Sequence, residues 1–306
     1  MIRTCTVYET DCTDPYENLA AEELLMGEAG DDEIILYLWQ NEKTVVIGRN
    51  QNAWQECSAD LFMSEGGRIA RRLSGGGAVY HDAGNQNFTF IAKKENYDLK
   101  RQLSVIQKAV SSFGIAASFS GRNDLLAEGR KFSGNAFYDN GRVRYHHGTV
   151  ILSTDMAAMK RYLTPSGMKL AAKGVSSVES RVIALCKLEP RITPQGMRDA
   201  LKEAFRETYG AYSIKKTSGL PGLMRLRERY ADPAWNLNRL SEFDIQLDYR
   251  LRDALVRMYL SVSKGMITDA QVFSDSMDPS FAQKLQEQLP GRRYVREEVD
   301  RIVDSL

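Results

Sequence analysis

Cysteine is scarce: Cys5, Cys12, Cys57 and Cys186 are the only four in 306 residues. They form no C-x-x-C pair and stand at no zinc-finger spacing to a histidine, which argues against a structural zinc site and against a disulfide framework. Such sparse thiols fit a reducing compartment, and the cytoplasm is the expected location. Long apolar runs are missing as well. No stretch approaches the roughly 18 residues of a membrane helix, and Met1-Ile2-Arg3-Thr4 leads to Glu9 and Asp11 instead of a signal-peptide core. Charge of one sign is also lacking, since 41 Lys and Arg against 40 Asp and Glu leave a formal +1. No overall field gathers nucleic acid or an anionic membrane, so neither is an expected partner and any anion site is local. Repeats and low-complexity tracts are absent, which excludes solenoids and coiled coils.

What is there suits a soluble two-domain α/β protein: the length is ample, with 43% hydrophobic and 26% charged residues. Asp14-Pro15-Tyr16-Glu17 supplies an acidic cap, a first-turn proline and a capping-box glutamate, and predicts a helix over about 15 to 28. Buried strands are predicted at 34–39 and 44–47, with further strands at 68–73, 78–81, 87–92 and 148–153. Leu103, Ile106, Ala109, Val110 and Phe113 share one face of a helix over 101–113, and Thr193-Pro194 opens another carrying Met197, Leu201, Phe205 and Tyr209. Irregular, proline-, glycine- and arginine-bearing text from Lys215 reads as a linker running to about 244. It divides a first domain, 1–244, from a small α+β domain, 245–306, with a hairpin over 259–273 and helices near 280–289 and 295–304.

Arg71-Arg72-Leu73-Ser74-Gly75-Gly76-Gly77-Ala78-Val79-Tyr80-His81-Asp82 is the best anion-site candidate. Three glycines leave backbone N–H groups free to turn toward phosphate oxygens, and an adjacent arginine adds a fork of donors. A glycine-rich bulge with solvated arginines is the competing reading. Neither the P-loop pattern nor G-x-G-x-x-G is present. Farther on, Lys131 in Gly129-Arg130-Lys131-Phe132-Ser133-Gly134 can bridge two anions or stand solvated, while Asp124 can ligate Mg²⁺ or form an Asx turn. The three histidines are His81, His146 and His147. Adjacent strand residues face opposite ways, so at most one of the last two shares a pocket with His81.

These stretches resemble the bacterial lipoate-protein ligase A family along most of the chain. The similarity runs in order through Asp14-Pro15 with Asn18-Leu19-Ala20 and Glu22-Glu23, Thr44 to Arg49, Ala70 to Asp82 with Gly84-Asn85, and Gly121-Arg122-Asn123-Asp124. It continues through Arg130-Lys131 with Ser133-Gly134, His146-His147-Gly148-Thr149, Leu170 to Gly174, and Ala270 to Phe273 with Asp275-Ser276. The resemblance implies a mixed-sheet catalytic domain of the biotin/lipoate ligase type with a small C-terminal domain that swings between two steps. It implies joining of lipoate to AMP with loss of pyrophosphate, then transfer of the lipoyl group to a lysine of an apo lipoyl domain, such as an E2 subunit or H protein. ATP with Mg²⁺ and lipoate are the substrates implied, without a tightly bound prosthetic group, and the chain is expected to be a monomer.

By the same resemblance, Lys131 is the catalytic lysine touching both carboxylate and α-phosphate, and Arg72, Gly76, Gly77, Ala78 and Val79 meet the nucleotide. Glu22, Ser74, His81, Asn85, Asn123 and His147 line the lipoyl or adenylate site, Asp124 is the Mg²⁺ ligand, and Lys173 and Gly174 belong to a closing loop. The acyl chain needs an apolar slot, which strands near 44–47 and 87–91 would line unless they are plain core. No base for the acceptor lysine is evident; His81, His147 and a phosphate oxygen are all compatible with the role. The rival reading is an ATP-independent octanoyl or lipoyl transferase. Cys186 does not connect to the site as its nucleophile, and the loop after Arg71 departs from the G-R-G-R type of biotin ligases.

Overall fold

The computed structural model describes residues 2–120, 124–163, 182–237, 245–251, 254–263 and 265–305. Its first helix, Pro15–Glu28, begins where expected: the Asp14 carboxylate accepts from Tyr16 N, and Pro15 sits where a backbone N–H would lack a partner. The helix predicted over 101–113 starts earlier, at Leu99, because the Asp98 carboxylate caps it by accepting from Arg101 N.

An eight-stranded mixed sheet forms the centre. In spatial order it runs Ser213–Lys216, Thr4–Glu9, Glu33–Trp39, Asn85–Lys93, Val143–Ile151, Arg130–Asp139, Asp124–Ala127 and Ala117–Ser120. The first three strands pair in parallel and the remaining pairs are antiparallel. Helices Leu99–Ser111 and Pro194–Tyr209 cover one face over Phe88, Phe90, Ile106 and Phe205. Helices Pro15–Glu28 and Leu223–Ala231 cover part of the other over Tyr37, Ile91 and Tyr145. Ile34 to Trp39 are all buried, which is why that strand reads as a continuous apolar run.

A second sheet of three strands, Arg68–Arg71, Thr44–Ile47 and Val79–His81, has Thr44–Ile47 in the middle and carries the glycine loop between two of its members. Residues 245–305 make a third, antiparallel sheet with helices Phe281–Gln288 and Arg296–Asp304 and a core of their own around Met258, Leu260, Leu285 and Val299. The end of that sheet touches the rest of the chain: Ser274 N donates to Asn50 O over 2.8 Å, and Gly76 N to Ser276 O over 2.9 Å. No helix among the described residues is long and apolar enough to cross a membrane.

The stretch from Lys215 to Leu237 corrects the linker reading. It holds the end of a sheet strand, helix Leu223–Ala231 and helix Pro233–Asn236. Leu223 and Tyr230 join the core on that face, with Leu220, Leu226 and Trp235 packed against it, and ion pairs add to this: Arg227 pairs with Asp14, while Arg229 and the Tyr230 hydroxyl both meet Glu23. Partners about two hundred residues away are invisible to a local hydrophobic pattern. The portion 238–244 lies outside the described residues. The strand Asp124–Ala127 carries no alternating apolar signature in its sequence and was not expected.

Arg71 fastens this arrangement. Its guanidinium donates to five carbonyls, those of Gly48, Arg49, Gln51, Trp235 and Asn236, and Trp235 Nε1 donates back to Arg71 O. Burial lowers the group to about 10, with Arg49 and Arg72 adding to the effect, so it stays charged at neutral pH. Arg71→Ala would leave several buried carbonyls without a donor and is expected to cost roughly 3 kcal/mol or more. Urea unfolding monitored by far-UV dichroism reads this; a loss below about 1 kcal/mol would contradict the stapling role.

Candidate active site

Opposed residues of neighbouring strands share a face, so the register locates the site. Trp39 stands opposite Asn87, and Asn87 opposite Thr149. Thr149 Oγ1 then accepts from Gly134 N over 3.2 Å, and Gly134 stands opposite Asp124. Trp39, Asn87, Thr149, Gly134 and Asp124 thus form one row across five strands. One step along is a second row, Tyr37, Thr89, His147 and Ala136.

Lys131 joins the first row through a bulge. Leu125 pairs with Ser133 but Leu126 pairs with Lys131, leaving Phe132 as the extra residue. In a regular strand, residues three apart face opposite ways; the insertion puts Lys131 on the side of Gly134 and Asp124. Its ammonium lies 2.7 Å from Asp124 Oδ1. A Cβ on Gly134 would come within 2.8 Å of Lys131 Cε and Nζ, so the glycine leaves the space through which the lysine folds. Lys131 O also accepts from Ile183 N, so the chain beyond the undescribed 164–181 returns beside it.

The glycine loop is shaped by Arg72. The guanidinium gives Nε–H to Ser74 Oγ, Nη1 to Val46 O, and Nη2 to both Gly75 O and Gly77 O. Because a peptide plane sets C=O and the following N–H in opposite directions, carbonyls 75 and 77 turned inward point the N–H groups of Gly76 and Ala78 outward. Gly76 has φ +91°, a conformation glycine adopts readily, and its N–H meets Ser276 O. Ser276 also closes on Gly75, where a Cβ would stand 2.1 Å from Ser276 O. Ala78 and the half-buried Val79 lead into the small sheet.

Behind the loop runs a chain of buried hydrogen bonds whose direction is fixed by its ends. Trp39 Nε1, a donor only, gives to Thr89 Oγ1 over 3.0 Å, and Thr89 gives to Glu22 Oε1 over 2.7 Å. The same carboxylate oxygen lies 2.8 Å from His147 Nδ1, and His147 Nε2 lies 2.8 Å from Ser74 Oγ. With Nδ1–H directed at a carboxylate, Nε2 of the neutral ring accepts the Ser74 hydroxyl proton, and Ser74 in turn accepts from Arg72. Burial lowers Arg72 to about 10, while Tyr145 and Glu22 pull the other way. A buried cation and a buried carboxylate are therefore joined through serine and histidine.

His146 lies on the opposite face, between Gln102 at 3.2 Å and Asn135 at 2.8 Å and stacked with Phe90 and Phe137. Burial pushes it down to about 3, with His147 adding to the effect. His81 belongs to the site side. Burial first, then Arg72 and His147, lowers it to about 3. Asn41 Nδ2 lies 3.2 Å from its Nδ1, while Nε2 is buried and unpartnered. Asn85 Nδ2 donates to Asn87 Oδ1, leaving Asn85 Oδ1 and Asn87 Nδ2 without protein partners.

Of the residues singled out from the sequence, Glu22, Arg72, Ser74 and His147 are linked directly, with His81 close enough to feel Arg72 and His147. Lys131 and Asp124 form the neighbouring ion pair. Asn123, Lys173 and Gly174 lie outside the described residues. Thr89, Asn87 and Trp39 were missed as site residues; the alternation Asn85, Asn87, Thr89 inside an otherwise apolar strand was the available signal. The expected slot divides: Val45, Ile47, Phe88 and Phe90 are core, while the intervening Thr89 and Ile91 face the site side. Cys186 packs against the core of the small sheet. Among the described residues no three metal-ligating side chains cluster. A cleft of about 560 Å³ opens between this face and the C-terminal part, lined by Leu73, Tyr138, Tyr145 and Met277 among others.

Two family models match the chain: the lipoyl protein ligase A/B catalytic domain over residues 14–206 and the bacterial lipoate protein ligase C-terminus over 241–306. Among solved structures, LipL1 of P. falciparum in complex with lipoate is similar at 26% identity and TM-score 0.84, covering 99% of this chain and 94% of that one. A bipartite archaeal lipoate protein ligase from Thermoplasma acidophilum, described with its E2 lipoyl domain, aligns at 22% identity and TM-score 0.68 over 80% of this chain and 100% of that one. Lipoate-protein ligase A bound with ATP aligns at 22% identity and TM-score 0.66 over 77% and 98%. The last two carry the fold only.

His81 and His146, at about 3 in the folded chain against about 6.5 unfolded, make a pH prediction. Between those values the unfolded state binds the extra protons. Their stabilising effect is full above pH 6.5 and is lost as pH falls, by up to about 1.4 kcal/mol per pH unit for each ring. Urea midpoints at pH 7.5, 6.5 and 5.5 are expected to decline below 6.5; a flat profile would contradict neutral burial.

Proposed function

Because this chain belongs to the lipoyl protein ligase A/B family and is a ligase, we propose that it activates lipoate with ATP and attaches the lipoyl group to a lysine of an apo lipoyl domain. The observation that carries this reading is Lys131, a partly exposed ammonium turned by a bulge onto the polar row of the sheet, on the face where His147 meets the glycine loop through Ser74. LipL1 binds lipoate, ligase A binds ATP, and the archaeal ligase is paired with a lipoyl domain; the proposal assigns all three partners to this chain.

In the first step a lipoate carboxylate oxygen attacks the α-phosphorus and pyrophosphate leaves. The two anions repel, and one ammonium between them offsets the repulsion and stabilises charge growing on the phosphoryl oxygens. Lys131 takes this role, released from Asp124 to do so. Outward N–H groups at Gly76 and Ala78, with Gly77 and Val79, are assigned to the nucleotide. For Gly76 this requires Ser276 O to give way. Arg72 acts by holding the loop, since four of its five N–H groups are spent on protein oxygens. Glu22, Ser74, His81, Asn85 and His147 are assigned to the wall of the acyl adenylate site. Magnesium would be held mainly by phosphate oxygens with Asp124 as one protein ligand. The catalytic domain is taken as 1–244 and the accessory domain as 245–306.

Intact mass of an apo lipoyl domain, after incubation with the protein, lipoate and MgATP, tests the reading. A lipoyl mass gain that needs ATP and releases pyrophosphate is expected. Gain from a lipoylated donor without ATP would establish a carrier-to-carrier transferase instead. Lys131→Ala is expected to cut lipoate-dependent pyrophosphate exchange by about 10²-fold or more while the unfolding midpoint stays near that of the parent. Near-normal exchange would remove Lys131 from its role.

A further inference from the structure

The hydroxyl proton of Thr149 meets no acceptor among the described residues. Its Oγ1 accepts from Gly134 N over 3.2 Å, which settles the oxygen and leaves the O–H to donate elsewhere. Its neighbours along the row offer only donors: Gly134 presents that N–H, and Asn87, opposite on the other side, has an unpartnered Nδ2. An ammonium stands close by. A Cβ on Gly134 would lie 2.8 Å from Lys131 Nζ and 3.9 Å from Thr149 Oγ1, so these two atoms are no farther apart than the two lengths together. One carboxyl group can accept from both at ordinary hydrogen-bond lengths of about 2.8 Å. The row is open at this end, because the side chains of Lys131 and Asp124 are 23% and 22% exposed and Thr149 itself keeps 9% of its surface.

We infer that Thr149 donates a hydrogen bond to the lipoate carboxyl group, to the oxygen that becomes the acyl carbonyl. This rests on the ligase reading above. Strand order puts Thr149 on one flank of Gly134 and Lys131, and Asp124 on the other. The Asp124 carboxylate repels any anion that comes without a metal, so phosphates carrying Mg²⁺ suit its flank and the metal-free carboxylate suits the flank of Thr149. Polarity along the rows agrees: beyond Thr149 they lead to Trp39 and Tyr37, an aromatic end fit for an acyl chain, and in the other direction to the charged end. In adenylation one carboxylate oxygen attacks the α-phosphorus, displaces pyrophosphate and becomes the bridging oxygen, while the other, held by Thr149, takes the C=O double bond. In transfer the neutral acceptor amine adds to that carbonyl, and its π electron pair moves onto the oxygen Thr149 holds. The pair returns as the C–O bond to AMP breaks, and the nitrogen loses its extra proton to the departing phosphate. Thr149 itself transfers no proton; it is a fixed donor aimed at an oxygen whose charge grows, a contribution of about 10²-fold in rate. Its β-branched side chain, stiff about χ1, suits that task.

The test uses Thr149→Val, which keeps the shape and removes the hydroxyl, Thr149→Ala, which removes it with less bulk, and Thr149→Ser, which keeps it. Two rates are read on the full chain: lipoate-dependent pyrophosphate exchange, and transfer to an apo lipoyl domain from lipoyl-AMP supplied directly. Calorimetric titration with MgATP alone reads the nucleotide, and urea midpoints read the fold. In the Val and Ala variants kcat for transfer is expected to fall about 10²-fold and exchange to fall with it, while the Kd for MgATP stays near that of the parent and Ser recovers most of the loss. Near-parent rates in Val or Ala would overturn the inference. A Kd for MgATP weakened enough to account for the whole loss would overturn it too, assigning the hydroxyl to phosphate, ribose or adenine. Equal losses in Ser and Val with a lowered urea midpoint would assign Thr149 to packing and overturn it likewise. If the parent protein shows neither exchange nor transfer, the ligase reading fails and this inference falls with it.

Discussion

Arg72 is a guanidinium buried to within a few per cent of its surface, and most of what surrounds it follows from making that burial tolerable. A charge in such a place must be met by acceptors and by an opposite charge, or the cost exceeds what a domain can sustain. Three carbonyls, one serine oxygen and, through His147, the Glu22 carboxylate meet those demands. Satisfying Arg72 draws the carbonyls of Gly75 and Gly77 inward, and that same geometry turns the neighbouring amides of Gly76 and Ala78 outward. The glycine loop is thus shaped from beneath by a buried cation.

Arg71, its neighbour, faces the other side of the small sheet and spends its guanidinium on five carbonyls from two distant segments. Two adjacent arginines, identical in chemistry, therefore serve different ends because strand alternation sends them to opposite faces. The pair His146 and His147 repeats the pattern. One is packed among Phe90 and Phe137 under the helices, the other is wired to Glu22 and Ser74.

The site is assembled where two sheets and the C-terminal part meet. Lys131 comes from the large sheet, the glycine loop from the small one, and Ser276 from the third. The loop and the C-terminal segment contact through backbone atoms: a Cβ on Gly75 would strike Ser276 O, and one on Gly48 would strike Gly76 O. Glycine is needed there for close approach as much as for conformational freedom.

Much was legible in the residues alone. The cap at Asp14-Pro15, the apolar run at 34–39, the glycine loop between strands, and an ordered set of family-like motifs pointed to the fold class, because each is a local signal or a pattern of spacing. What the sequence could not supply depends on partners far apart in the chain. Helix Leu223–Ala231 puts only Leu223, Leu226 and Tyr230 on the core among several arginines, a short apolar stripe completed by ion pairs to Asp14 and Glu23 about two hundred residues away. The bulge at Phe132 that turns Lys131 to the side of Gly134 and Asp124 depends on the register with Asp124–Ala127. The link from Trp39 through Thr89, Glu22, His147 and Ser74 to Arg72 joins five segments, and the proton order along it follows only once donor-only groups are seen at both ends. Sequence determined which chemical groups were available; tertiary structure decided which were spent on one another and which were left free.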